Sequence, residues 1–195
     1  MSTPLPQSLL DELTSIELTP EREEVLQRFF EANPEYYEDF YGGPPSATEA
    51  HDEIHGPLPL GWSYTKKWLI GYLDGSGELA AMAHVVSDLL APKVWHIGFF
   101  VIATARRGSG LAGPLYDGLE HWMRDGGAQW LRLGVVAGNV RGERFWESHG
   151  YIETRRRSEV PYRQRTQTMR VMYKPLAGGT LEEYLALVER DRPDA

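Results

Sequence analysis

Three glycines at 108, 110 and 113, two arginines ahead of them and an apolar run before those can together hold a pyrophosphate. The stretch is Phe-Phe-Val-Ile-Ala-Thr-Ala-Arg-Arg-Gly-Ser-Gly-Leu-Ala-Gly, residues 99–113. Glycines let a backbone approach an anion without interference from Cβ. Leu111 to Met123 reads as an amphipathic helix, and the free N–H groups at its start attract negative charge. Arg106 and Arg107 bring formal positive charge to the same mouth.

Three nucleotide-type patterns compete for this loop. A P-loop requires Gly-Lys-Ser or Gly-Lys-Thr, which does not follow here. Gly108, Gly110 and Gly113 do fit G-x-G-x-x-G, but that fingerprint expects an acidic residue roughly 20 positions on, at the end of the next strand. The next expected strand, Gln129 to Val136, runs into Val136-Ala137-Gly138-Asn139 without a carboxylate. The third pattern fits better. Arg107-Gly108-Ser109-Gly110-Leu111-Ala112 is Arg-x-x-Gly-x-Ala, and it resembles the acetyl-CoA pyrophosphate loop of the GNAT superfamily of N-acetyltransferases. A second landmark follows after one helix and one strand. Asn139-Val-Arg-Gly142-Glu-Arg-Phe145-Trp146-Glu-Ser-His-Gly150-Tyr151 is similar to that family's Asn-x-x-Ala-x-x-Phe-Tyr-Glu-x-x-Gly-Phe helix. The two motifs in this order are far more specific than either alone, and the resemblance covers about 85–175.

The resemblance implies an α/β layered fold, the GNAT fold, with a mixed, mostly antiparallel sheet splayed at its central strand and helices on both faces. It implies an acyltransferase that moves an acetyl group from acetyl-CoA to a primary amine, of a small molecule or an amino terminus, by direct attack in a ternary complex. Phe100, Val101 and Ile102 are expected to pair with the pantetheine arm through the main chain. Arg107, Gly108, Ser109, Gly110, Leu111, Ala112 and Gly113 would hold the pyrophosphate. The splayed strand would also offer an N–H to the thioester oxyanion. Asn139 is expected to bond the pantetheine amides or simply to cap its helix, and Trp146 to pack beside the arm.

Two departures from the family pattern fall on the acid and base. Many members carry a glutamate on the central strand as base, and here that place falls on or near His96. A neutral imidazole is a competent base near neutral pH, while a packed, inert histidine is the other possibility. Alternation along the strand would put His96, Gly98, Phe100 and Ile102 on one face. Glu49, Asp52, Glu53 and His84 compete for the same role, and the acids among them, with Tyr37, are candidates to grip the acceptor's ammonium. The family's tyrosine is replaced by Trp146, and indole cannot protonate a thiolate. Tyr116, Tyr151 or solvent would have to do so. A degenerate acyl-CoA-binding sensor or partner domain is therefore the alternative function.

Two other constellations weigh less. His51-Asp-Glu-Ile-His55 sets two histidines four apart, superficially like a zinc-protease helix. Asp52 stands where that motif has glutamate, Gly56-Pro57 breaks the helix and the sequence offers no third ligand, so no metal is expected. Arg155, Arg156, Arg157, Arg163 and Arg165 lie on a final hairpin, where alternation splits them between faces and leaves most as surface cover.

The chain's 195 residues suffice for one domain with a sizeable core. It has no cysteine, so a disulfide scaffold and a thiolate nucleophile are excluded. Neither a secretory leader nor a run of ~18 apolar residues is found, so a cytoplasmic protein without membrane contact is expected. The net charge of −8 is unevenly spread, with 13 acids against 2 bases in residues 1–60. A basic body behind an acidic lobe suits an anionic cofactor and a cationic acceptor, and the acidic total argues against nucleic acid. Family habit and the C-terminal helix are the two grounds for expecting a homodimer.

The elements expected to carry these residues run strand, helix, lobe, sheet. Leu13 to Leu18 is a short strand, and Thr19-Pro20 opens a helix whose apolar stripe is Val25, Leu26, Phe29 and Phe30. Asn33-Pro34 is expected to end it, leaving 34–61 as an irregular, aromatic lobe on the acceptor side. Asp74-Gly75-Ser76-Gly77 turns a hairpin between Trp68–Leu73 and Glu78–Val86. Val94 to Ile102 is the central strand. Tyr151–Val160 and Thr166–Lys174 form the last hairpin. Thr180-Leu-Glu-Glu183 is a capping box for a C-terminal helix over 180–190.

Overall fold

The computed structural model describes residues 4–195, apart from the Tyr162 side chain. Seven strands form one open sheet: β1 (Thr14–Glu17), β2 (Lys66–Leu73), β3 (Leu79–Ser87), β4 (Val94–Ile102), β5 (Trp130–Val136), β6 (Ile152–Tyr162) and β7 (Arg165–Pro175). Their order across the sheet is β1-β2-β3-β4-β5-β7-β6. Every pairing is antiparallel except β4 with β5. That parallel pair needs a crossover, which α4 (Ala112–Asp125) supplies.

The sheet's two faces carry different helices. On one face α4 and α5 (Val140–Ser148) bury Leu111, Leu115, Tyr116, Leu119, Trp122, Met123 and Trp146 against Trp68, Ile70, Trp95, Ile97, Leu131 and Leu133. Trp68, Trp95 and Trp122 meet there with centroids 5.2–5.5 Å apart. On the other face α1 (Glu23–Glu31), α2 (Pro34–Tyr41) and α3 (Glu49–His55) cover β1 to β4 through Leu26, Phe29, Phe30, Tyr37 and Ala50. α6 (Leu181–Leu187) covers β5 and β7 through Tyr184. Its capping box forms as the sequence requires: Thr180 Oγ1 accepts from Glu183 N–H, and Glu183 Oε2 accepts from Thr180 N–H.

Residues 34–61 are not irregular throughout. Pro34 occupies the first turn of α2, where its missing N–H costs nothing and its fixed φ suits a helix. What reads as a terminator for α1 is equally a start signal for α2. α3 follows, and its C-terminal end is held by Lys67, whose ammonium donates to the carbonyls of Glu53, Ile54 and Gly56 at 2.9, 3.0 and 3.1 Å.

Candidate active site

β4 and β5 pair only from Val94↔Trp130 to Ile97↔Leu133. Beyond that register each strand continues with a glycine, Gly98 and Gly134, and both are exposed. From there β4 stays bonded to β3 as far as Ala81↔Ile102, but its other edge is open. Main-chain groups of residues 98–102 thus face a gap instead of a strand. A cleft of about 940 Å³ fills that gap. It is lined by Phe100, Trp146 and Phe145 from the α4/α5 face and by Phe99, Tyr36 and Phe40 from the α1–α3 face. The cleft therefore crosses the sheet.

One end is the glycine turn. Gly108 and Gly110 sit at φ 79° and 84°, the left-handed region that side chains with a Cβ avoid. Neither has any atom within 4 Å of where a Cβ would stand. Leu111 precedes α4 without a side-chain cap, and the N–H groups of Gly110, Leu111, Ala112 and Gly113 have no partner among the described residues. Uncapped N–H groups at a helix start form an anion site. Arg107 lines this end. Arg106 lines it too, but its guanidinium is paired with Asp74 of the β2–β3 turn. Ser109 turns its hydroxyl onto Arg106 O at 2.7 Å and so closes the loop.

Asn139 caps α5, its Oδ1 accepting from Gly142 N–H at 3.0 Å, and it also borders the cleft. A Cβ on Gly142 would stand 2.5 Å from Asn139 Nδ2, so in this conformation Asn139 packs directly over the glycine. Trp146 is buried between Phe100 and Tyr116 (centroids 6.0 and 5.5 Å) and touches the cleft. Tyr116 and Tyr151 do not. Tyr116 donates to Glu120 at 2.6 Å, and the two phenols lie 3.1 Å apart inside the core. Burial pushes both phenols far above their ordinary range. Tyr151, a candidate acid from sequence, is thus enclosed.

The other end carries an aromatic wall from α2. Tyr36 lies 4.7 Å from both Phe40 and Phe99, and Tyr41 closes the group. Asp39 lines the same mouth, and its carboxylate has no ion pair among the described residues. The β6–β7 hairpin buttresses this wall: Arg165 Nη1 donates to Asp39 O at 2.8 Å and Gln167 Nε2 to Phe40 O at 3.1 Å. The sequence-level candidates fall elsewhere. Tyr37 is 2% exposed and packs in the core. Glu49 is buried and paired with Arg163. Asp52 accepts from Thr48 Oγ1 at 3.1 Å, away from the cleft. Helical spacing explains the displacement, since 36, 39 and 40 share one side of α2 while 37 points inward.

His96 and Phe100 do not share a face. His84 pairs with Phe99 and Val85 with Ile97, so Gly98 is a bulge residue without a partner on β3. One extra residue flips the alternation: Ile97 and Phe100 end on the α4/α5 side, Phe99 and Val101 on the other. His96 is buried beneath Trp62, 5.9 Å away edge-on, with Nδ1 3.1 Å from Arg132 O. Burial holds its pKa well below the ordinary value, helped by the Arg132 charge and by His84. His84 itself lies behind Gly98, whose Cβ, if present, would stand 3.2 Å from the His84 Nδ1. That nitrogen is 2.7 Å from Glu53 Oε1, off the line of a hydrogen bond, and Nε2 is buried without a partner among the described residues.

Residues 19–151 match the Acetyltransferase (GNAT) family. A splayed parallel pair, a glycine turn at one mouth and that match together make this chain a member of the GNAT family, an acetyltransferase by class and a user of acetyl-CoA by family. Its fold is similar to an acetyltransferase from Thermus thermophilus (TM-score 0.66, 17% identity, 87% of this chain and 100% of that one). It is also similar to the spermidine N-acetyltransferase of Vibrio cholerae, solved with CoA and spermine (0.63, 17%, 85% and 96%). The Escherichia coli ribosomal-protein-S18-alanine N-acetyltransferase superposes as well (0.62, 15%, 87% and 97%). No curated protein matches it by sequence.

Proposed function

We propose that the acceptor is a primary amine, of a small molecule or an amino terminus, which arrives as a cation and attacks acetyl-CoA directly in a ternary complex. The observation that carries this reading is the passage of one cleft through the sheet at Gly98. A cofactor anchored at Gly108–Gly113 and an amine entering past α2 meet there, on the open edge of β4. Pantetheine fits that edge as an added strand, held by the main chain of Phe100, Val101 and Ile102, with Asn139 Nδ2 and Trp146 beside it. The aromatic group of Tyr36, Phe40 and Phe99 with Asp39 suits an ammonium, which aromatic faces and a carboxylate both attract.

The ammonium must first lose a proton. His84 is better placed than His96 to receive it, through water at Gly98, with the Glu53 carboxylate beside Nδ1 to balance the charge of the ring. His96 is occupied by the Arg132 carbonyl and disfavours protonation. The amine nitrogen then bonds to the thioester carbon, main-chain N–H groups of β4 steady the oxyanion, and the C–S bond breaks as the nitrogen releases its second proton to solvent. No phenol lines the cleft among the described residues except Tyr36 and Tyr41 at the acceptor end, so solvent protonates the departing thiolate.

The test is acetyl transfer to a panel of amines, with polyamines and amino-terminal peptides first. Turnover is expected, with Asp39→Asn raising KM for cationic amines about tenfold, on the order of 1.4 kcal/mol, at unchanged acetyl-CoA affinity. His84→Gln should lower kcat by on the order of a hundredfold or more, and Glu53→Gln by less. The enclosed phenols favour a second reading, an acyl-CoA-binding domain without turnover. Tight acetyl-CoA binding with no acetylated product across the panel would establish that reading instead.

A further inference from the structure

Sequence spacing alone offers two histidines on α3 and no third ligand. The fold supplies one. Glu23, on α1, places Oε2 3.2 Å from His51 Nδ1 and 3.6 Å from His55 Nε2, and the two imidazole rings lie 4.5 Å apart. All three donor atoms fall within 4.8 Å of one another. Ligands at ~2.0–2.1 Å around a tetrahedral ion stand about 3.3 Å apart, so both distances to Glu23 already match, and the two imidazole nitrogens, within 4.8 Å, need only side-chain rotation to close. Two imidazoles four residues apart on a helix are a chelate by geometry.

The arrangement is fixed from beneath. Gln27, one turn after Glu23 on α1, accepts from Ala50 N–H at 3.0 Å and donates to Ser46 O at 2.9 Å, which sets α1 against the start of α3. Lys67 fixes the other end of α3 through three carbonyls. The three side chains are half-exposed, so an ion has an entry path and a fourth position open to water.

We propose that Glu23, His51 and His55 bind one divalent transition-metal ion of the zinc class, which joins α1 to α3. The donor set decides the class: imidazole nitrogens favour Zn²⁺, Ni²⁺ or Cu²⁺ over Mg²⁺ and Ca²⁺, which prefer all-oxygen sites. The bound ion is a staple on the outside of the lobe whose inner side carries Glu53 and the α2 wall. This inference does not depend on the acceptor or on turnover.

The experiment is calorimetric and thermal titration of tag-free, chelator-stripped protein with Zn²⁺ and, in parallel, Mg²⁺. The expected result is one Zn²⁺ per chain at micromolar Kd, and a melting temperature that rises as Zn²⁺ is added, since a hundredfold excess over Kd shifts the unfolding equilibrium about a hundredfold. His55→Ala and Glu23→Gln should each weaken binding tenfold or more while acetyl-CoA binding is kept, which shows that the variants are folded. His121→Ala, which removes an exposed histidine on α4, should bind Zn²⁺ as wild type. No stoichiometric Zn²⁺ binding, equal binding of Mg²⁺, or wild-type affinity in His55→Ala and Glu23→Gln would each overturn the proposal.

Discussion

Asn33 joins the acceptor lobe to the turn that leads into the pyrophosphate loop: its Oδ1 accepts from the Thr104 N–H. Its Nδ2 donates to Phe29 O at 2.6 Å, and the residue is buried. Thr104 returns a second link through its hydroxyl, which donates to Glu35 Oε2 at 2.8 Å. The end of α1, the start of α2 and the segment entering the glycine turn are therefore one unit. Asn33→Ala leaves a buried carbonyl and a partly buried N–H without partners, at about 1–3 kcal/mol each before relaxation. A lowered urea midpoint and weaker acetyl-CoA binding are expected together; an unchanged midpoint refutes the link.

Gly110→Asp tests the loop itself. The position requires positive φ, which costs an L-residue on the order of 1–2 kcal/mol, and the new carboxylate would face a pyrophosphate. Acetyl-CoA affinity should fall at least tenfold by titration calorimetry, with the melting temperature only slightly reduced. Gly110→Ala separates the two effects, since it carries the strain without the charge. Equal affinity in Gly110→Asp and wild type would remove this loop from the site.

How much of this was legible in the chain follows the range of each interaction. β4, the glycine turn, α4 and the terminal capping box are local patterns, and the structure places them where the sequence puts them. The opening of the sheet was written there too, as glycines at 98 and 134 directly after the last paired residues, but only the register of β4 against β5 reveals that they face each other. α2 was hidden because Pro34 ends one helix and begins the next. The bulge at Gly98 inverts every side-chain direction after it, so alternation counted from His96 reached the wrong face. Contacts such as Glu23 to His51, or His84 to Glu53, join elements far apart in the chain and leave no spacing to count.

The tail that follows α6 is anchored by a buried ion pair. Arg132 and Asp191 meet through two bonds, 2.7 and 2.9 Å, and Tyr184 donates to Asp191 at 2.6 Å. Burial works against the guanidinium, yet the carboxylate outweighs it and keeps Arg132 charged. Asp191→Ala strands that charge, with an expected loss of about 3–5 kcal/mol in urea unfolding. Tyr184→Phe, which removes one hydroxyl bond and no charge, should cost only about 1 kcal/mol. Similar losses in both variants would mean that packing, not the ion pair, holds the tail.

His96 provides a pH test whose sign is fixed by its surroundings. His96 Nδ1 lies 3.1 Å from Arg132 O and 3.4 Å from Arg132 Nη1; a carbonyl accepts only from a protonated nitrogen, and the shorter contact puts the hydrogen on Nδ1. Arg132 and His84 face the ring, and with burial they keep its native pKa well below normal. The unfolded chain takes up a proton near about pH 6.5 and the native chain does not. This histidine's contribution is thus fully present above that pH and is lost as pH falls below it, by at most about 1.4 kcal/mol per pH unit. His96→Asn keeps a donor for the carbonyl and removes the titration. Urea unfolding at pH 7.5, 6.5 and 5.5 should then show a shallower decline in the variant than in wild type. An unchanged slope would mean that His96 already takes its proton in the native state, which would return it to the candidates for the base.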